Sequence, residues 1–93
     1  MIKMMTESNK KRSDVEISAD ILRVAMTEAR KSHLVYQTNL NFKLVNKYLE
    51  LLTKNDLITS PSNSKTFKTT EKGLRYLDHF EGFQKYIKSS SIM

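Results

Sequence analysis

Residues 41–54 read NFKLVNKYLELLTK and predict an amphipathic helix. Asn41 is suited to cap this helix, because its side-chain oxygen can accept one of the backbone N–H groups that lack a partner at a helix start. The apolar residues behind it recur at helical spacing and are expected to face a core: Val45, Tyr48, Leu49 and Leu52. The opposite face then carries Lys43, Asn46, Lys47 and Glu50, with Phe42 and Leu44 at the boundary.

Upstream of this helix, the sequence predicts two others. Ser13 and Glu16 form a Ser-x-x-Glu capping box, and apolar residues recur behind them at helical spacing. The first helix is therefore predicted over residues 14–29, with its acidic side facing solvent. Ser32 is expected to cap a shorter second helix that extends to Gln37.

Downstream, the pattern changes to a hairpin and a last helix. Residues 57–59 and 66–69 are β-prone and enclose a segment rich in turn-forming residues. Thr70 is expected to cap a final helix that runs to about residue 88. The fold class is thus mainly α with a small β-hairpin (α+β), in the order helix, helix, helix, hairpin, helix.

The 93 residues are enough for one compact core and too few for two. We predict a flexible basic tail over residues 1–12, one domain over residues 13–88 that includes the last helix at 70–88, and a disordered tail over residues 89–93. The sequence has no apolar run of membrane-spanning length, no secretory signal and no Cys, so we expect a cytoplasmic protein that does not enter a membrane.

Neither catalysis nor a bound cofactor is expected. The two histidines, His33 and His79, lie in no metal-ligand spacing, and the sequence has no Gly-rich phosphate loop and no nucleophile motif. We therefore predict that the chain is not an enzyme and holds no metal.

The charge is unevenly distributed along the chain. The net charge is +6, yet residues 14–29 have four acidic and one basic side chain, a net of −3, whereas residues 30–70 have seven basic and two acidic side chains, a net of +5. Basic charge concentrated on one part of a fold is typical of a protein that binds a polyanion, because each neutralised phosphate releases counterions.

Three short helices followed by a hairpin form a winged helix, in which the third helix enters the major groove of DNA and the hairpin flanks it. On the outward face of the third helix, Asn46 can pair with adenine, and the neighbouring lysines can reach guanine or phosphate. The start of the second helix and the hairpin tip are suited to phosphates. The candidate DNA contacts are Arg30, Lys31, His33, Lys43, Asn46, Lys47, Asn63, Lys65 and Lys68. An ordinary solvated surface is the alternative for each of them.

The last helix carries a second apolar pattern. Its residues Tyr76, Phe80, Phe83 and Ile87 are spaced by four, three and four, as in a coiled-coil seam, while Leu74 and Leu77 are assigned to the domain core. We expect this seam to form a homodimer interface; packing of the same residues within one chain is the alternative.

The segment from Arg12 to Ile87 resembles the archaeal ArnR-like winged helix-turn-helix transcription regulators, and more distantly the PadR and MarR groups. The resemblance rests on residues 12–22, 40–52, 57–58 and 67–73, above all on Tyr48-Leu49-x-x-Leu52 and Thr70-Glu71-Lys72-Gly73 in this order. It covers roughly four fifths of the chain.

The resemblance implies double-stranded DNA binding, usually as a homodimer. We therefore expect a transcription regulator, located in the cytoplasm and associated with the nucleoid. The positions that the resemblance implies for DNA contact are Asn41, Phe42, Lys43, Asn46, Lys47, Lys65 and Lys68. The chain departs from the family pattern at Asp56, where Gly is usual, and at Leu44, where a polar residue is usual. Leu44 weakens base reading at its position unless it contacts a thymine methyl group.

Two other functions fit the same pattern. An architectural protein would coat DNA with little sequence preference. A protein interaction module would use the exposed aromatic residues of a winged helix instead of its lysines.

Overall fold

The computed structural model describes residues 12–61 and 65–92, with side chains described as far as Phe83. In chain order the elements are α1 (Asp14–Val24), a 3-10 turn (Ala25–Thr27), β1 (Ala29–Arg30), α2 (Lys31–Thr38), α3 (Phe42–Lys54), β2 (Ile58–Thr59), β3 (Thr66–Thr69) and α4 (Glu71–Ile92). The mainly α architecture with a small β component is confirmed. Within the described residues, no helix is both long enough and apolar enough to cross a membrane.

Helix α1 begins as predicted and ends earlier than predicted. The Glu16 N–H donates to Ser13 Oγ at 3.1 Å, and the Ser13 N–H donates to Glu16 Oε1 at 2.9 Å, so the capping box is present. The predicted extension to residue 29 is wrong, because Glu28 adopts a φ of 60° and turns the chain into β1. Ala29 then pairs with Phe67 on β3, a long-range partner that local spacing does not reveal.

Helix α2 is confirmed, but its predicted cap is wrong. The residue in the N-cap position is Arg30, whose side chain makes no capping hydrogen bond, and Ser32 lies inside the helix. The reason is that β1 leads directly into α2, so Arg30, the last residue of the strand, is also the N-cap residue of the helix. At the other end Asn39 terminates the helix in the left-handed region, with a φ of 59°.

Helix α3 has its predicted cap and apolar stripe. The Leu44 N–H donates to the Asn41 side-chain oxygen at 2.8 Å, and the four stripe residues are all buried. After α3, Asp56 adopts a φ of 59°, so Asp occupies the left-handed position for which Gly is best suited.

The three strands form one small antiparallel sheet in the order β1-β3-β2. The predicted hairpin corresponds to β2 and β3, with Ile58 opposite Thr69. Strand β1 was not predicted, because a strand of two residues is too short to show the alternating pattern of inward and outward side chains.

The core is formed by α1, the 3-10 turn, β1, α2, α3, β2 and one residue of α4. Its largest fully buried side chains are Ile21, Leu22, Leu34, Val45, Leu52 and Ile58. Helix α4 contributes Leu77, which is 4% exposed, whereas Leu74 is 41% exposed. The assignment of Leu74 to the core is therefore wrong; on α4, Leu77 and not Leu74 faces the rest of the domain. Residues 89–92, predicted as part of a tail, continue α4.

A partly buried polar contact also fixes α3. The Tyr48 ring lies in the core, and its hydroxyl donates to a carboxylate oxygen of Asp14 at the start of α1. This hydrogen bond, together with burial and the nearby negative charge, raises the pKa of Tyr48 above its ordinary value. Since an α-helix turns by about 100° per residue, anchoring one residue decides which others face outward.

A second polar contact joins the first two helices. Arg12, which the sequence places in the tail, donates to Asp20 Oδ2 at 2.7 Å and to the Thr38 carbonyl oxygen at 3.0 Å. The rest of the predicted tail lies outside the described residues. The guanidinium thus links α1 to the C-terminal end of α2, where exposed carbonyl groups favour a cation.

The junction between the hairpin and α4 depends on the absence of a side chain at Gly73. The Thr70 hydroxyl accepts the Gly73 N–H at 3.0 Å, which confirms the predicted cap. A Cβ atom at residue 73 would lie 2.2 Å from the Leu57 carbonyl oxygen and 2.6 Å from Thr69 Cγ2, both closer than atoms can approach. Backbone occupies one side of this contact, so relief would require the hairpin to move away from α4.

We expect Gly73→Ala to destabilise the fold by about 2 kcal/mol, because the added methyl group overpacks the junction. The matched control is Gly82→Ala on the same helix, where a Cβ would meet nothing within 4 Å. That control should gain roughly 0.5–1 kcal/mol from its better helix propensity. Urea unfolding followed by circular dichroism measures both changes, and equal stability of the two variants would contradict the packing described for Gly73.

Candidate nucleic-acid interface

The outward face of α3 is basic. Lys43, Asn46, Lys47 and Glu50 are all exposed, as predicted from their positions opposite the apolar stripe. Lys54 lies on the same face, one helical turn beyond Glu50, and is also exposed. Three lysines therefore project from one side of a single helix, with one amide and one carboxylate between them.

The two boundary residues of α3 differ in exposure. Phe42, the first residue of the helix, is 52% exposed, so its ring is accessible beside the cap residue Asn41. Leu44 is half-buried and packs partly against the core. Leu44 is therefore held by intramolecular contacts on one side, and Phe42 is the more accessible apolar group at the N-terminal end of α3.

One position on this face is held by an aromatic ring. The Lys47 ammonium lies 5.7 Å from the centroid of the Tyr48 ring. A cation over an aromatic face is attracted by its electron density. Because Tyr48 is itself fixed through Asp14, the lysine side chain has a defined starting position at the surface.

An open groove of about 1030 Å³ runs beside α3. Its walls come from α3, from the start of α2 and from β3, and they include Lys31, Lys43, Asn46, Lys47, Glu50 and Phe67. The structure thus brings together four of the sequence-predicted contacts. Among the lining residues that were not predicted, three are charged or aromatic: Lys54, Glu50 and Phe67. The first two share the helical spacing of Lys43 and Lys47 and could have been found from it; Phe67 enters only through the sheet.

The start of α2 forms a second exposed area. Arg30 and His33 are exposed, and both line a shallow depression of about 470 Å³ together with Tyr36. Tyr36 is 80% exposed and was not predicted as a site residue. Its position two residues after the buried Leu34 would have indicated an outward side chain.

The hairpin carries two exposed lysines. Lys65 precedes β3, and Lys68 lies within it, opposite Thr59 of β2. The Ser60 hydroxyl donates to the Thr66 carbonyl oxygen at 2.8 Å and closes the base of the loop. The predicted contact Asn63 lies outside the described residues.

Helix α4 places the predicted seam residues in different surroundings. Tyr76 is half-buried and its hydroxyl donates to the Val15 carbonyl oxygen at 3.0 Å; burial raises its pKa, and a hydrogen bond with Ser18 opposes that rise. Phe80 is also half-buried and packs against the core, whereas Phe83 is 62% exposed. The side chain of Ile87 lies outside the described part of the chain.

One ion pair joins α4 to α1, and a second one within α1 shares the same arginine. Arg23 of α1 donates to Glu81 Oε2 of α4 at 3.0 Å and to Asp20 Oδ1 at 3.2 Å. In residues 12–61 and 65–92, no three His, Cys, Asp or Glu side chains are grouped as metal ligands would be. Asp20 of α1 thus pairs with basic groups of its own chain, while the lysines of α3 are exposed and take part in none of the ion pairs of the described residues.

Comparison with known proteins agrees with this geometry. Residues 11–88 match the winged helix-turn-helix family. Among solved structures, the chain is similar to Sso10a-2, a DNA-binding protein from Sulfolobus solfataricus, with 29% sequence identity and a TM-score of 0.73 over 86% of each chain. Comparison with curated proteins gave no match. The narrower resemblance to the archaeal ArnR-like regulators stays a prediction. Because the family match spans well over half of the chain, the protein belongs to the winged helix-turn-helix family.

Proposed function

We propose that this protein binds double-stranded DNA by inserting α3 into the major groove. The observation that carries the proposal is the outward face of α3, where Lys43, Lys47 and Lys54 project opposite a fully buried stripe. A major groove about 12 Å wide accommodates one α-helix with its side chains. The similarity to a structure described as a DNA-binding protein supports the same conclusion.

The contacts divide into two kinds. Lysines and Arg30 would bind phosphate oxygens, which supplies affinity and orientation but little sequence information. Asn46 lies in the first half of α3, where side chains usually reach base edges, and its amide can pair with adenine. Lys65 and Lys68 on the hairpin would extend the phosphate contacts beyond α3.

The proposal includes a homodimer that forms through α4. Helix α4 has 22 residues and so is about 33 Å long, yet Leu77 is its one residue in the buried core among those with described side chains. Phe83 is 62% exposed, farther along the helix than the residues that contact the domain. A second copy of α4 is the simplest cover for this apolar surface, and it would pair two DNA-binding faces on one duplex.

The role that fits these features is a non-enzymatic transcription regulator, located in the cytoplasm on the nucleoid. An architectural protein that coats DNA is the second candidate, and it is favoured by the predominance of lysine over base-reading side chains on α3. Lysine is a flexible point charge that binds phosphate with little geometric selectivity. Selection of bound fragments from random duplex DNA distinguishes the two, because a coating protein enriches no sequence.

The double variant Lys43→Ala/Lys47→Ala should weaken duplex binding at least about tenfold in a fluorescence-anisotropy titration. If both lysines neutralise phosphates, the slope of log affinity against log salt should fall by about 1.8. The control is Lys72→Ala/Arg75→Ala, which removes two exposed basic residues from α4, outside the groove. Equal losses in both variants would mean that net charge, and not the face of α3, determines binding.

The dimer is tested by light scattering at micromolar concentration, which should give twice the chain mass of 10.8 kDa. Phe83→Gln should reduce the mass to that of one chain, because a polar side chain removes apolar contact from the seam. Leu74→Gln is the control, since Leu74 is also an exposed apolar residue of α4 but lies outside the predicted seam. A wild-type protein of single-chain mass would refute the dimer and leave the DNA-binding proposal standing.

A further inference from the structure

We infer that Glu50 is a specificity-determining residue that reads cytosine in the major groove; this inference rests on the proposed DNA binding. Glu50 is an exposed acidic residue of α3 and lines the same groove as Lys43 and Lys47. It was not among the contacts predicted from the sequence. Its chemistry differs from that of every other polar residue on this face.

The surroundings of Glu50 give it no partner of opposite charge. Within the described residues, the ion pairs are formed by Arg12, Arg23 and Arg75, and Glu50 takes part in none of them. Lys54, one turn farther along, is not paired with it either, although a glutamate four residues before a lysine can form such a pair. The Glu50 carboxylate is therefore available for a ligand.

A free carboxylate is unfavourable on a surface that binds only phosphates. It is repelled by the DNA backbone and offsets part of the attraction of the lysines beside it. In the major groove the same group is selective, because an ionised carboxylate only accepts hydrogen bonds. It can accept from the N4 amino group of cytosine, whereas the O6 and N7 atoms of guanine and the O4 atom of thymine are acceptors that repel it. Adenine also presents an amino group at N6, but its neighbouring N7 atom is an acceptor that repels the carboxylate, so cytosine is the better partner.

The spacing between Asn46 and Glu50 predicts the distance between the adenine and the cytosine that they read. Asn46 lies four residues before Glu50, so the two side chains share one face of the helix and are about 6 Å apart along its axis. Successive bases on one strand rise by about 3.4 Å, so with α3 lying along the duplex axis 6 Å would correspond to about two base-pair steps. We therefore expect a preferred site with adenine and cytosine about two steps apart.

The experiment selects duplexes from a random library with the wild-type protein, Glu50→Gln and Glu50→Ala. Wild type should enrich cytosine at one position. Glu50→Gln should shift that position towards adenine, since glutamine pairs bidentately with adenine, and Glu50→Ala should lose the preference there. The control is Glu71→Gln, which makes the same charge change at an exposed residue of α4 outside the groove and should select the wild-type site.

A chemical probe tests the hydrogen bond itself. N4-methylcytosine at the selected position keeps the base pair but replaces the amino hydrogen that projects into the major groove. Wild-type affinity should fall roughly tenfold with this base, and Glu50→Ala affinity should not change.

Uniformly tighter binding by both Glu50 variants, with the wild-type site unchanged, would overturn the inference while leaving DNA binding intact. A wild-type protein that binds no duplex would overturn both proposals, and the wild-type titration alone reveals that result.

Discussion

The rest of the structure depends on the way in which Tyr48 is fixed within the domain. Its ring belongs to the buried stripe of α3, and its hydroxyl donates to Asp14 at the start of α1. A helix held only by apolar contacts can rotate slightly about its axis, since those contacts are not directional. The hydrogen bond adds a direction, and with it the orientation of Lys43 and Lys47 towards solvent is defined.

The charged residues of α1 and α3 differ in whether they have partners within the chain. Two acidic residues of α1 have partners within the same chain: Asp14 accepts a hydrogen bond from Tyr48, and Asp20 forms ion pairs with Arg12 and Arg23. The lysines of α3 have no such partners among the described ion pairs. The positive field of α3 is therefore left largely uncompensated at the surface, where a polyanion would meet it.

The sequence predicted those features that are encoded locally. The caps at Ser13, Asn41 and Thr70 and the buried stripe of α3 follow from spacing alone, and the structure confirms them. Features that depend on distant partners were missed. Strand β1 exists because β3 pairs with it, and Tyr48 was counted as apolar although its hydroxyl bonds to a residue 34 positions away. Glu50 was visible as outward, but its lack of an ion pair emerged only from the structure.

The most direct test of the account is an NMR titration of the labelled protein with a short DNA duplex. The account predicts that the largest shifts of backbone amide signals occur along α3 (Phe42–Lys54), with smaller shifts at the start of α2 and in the β2–β3 hairpin. Saturable shifts confined to α1 and the first turns of α4, with α3 unaffected, would show that the basic face of α3 is not the surface that binds DNA.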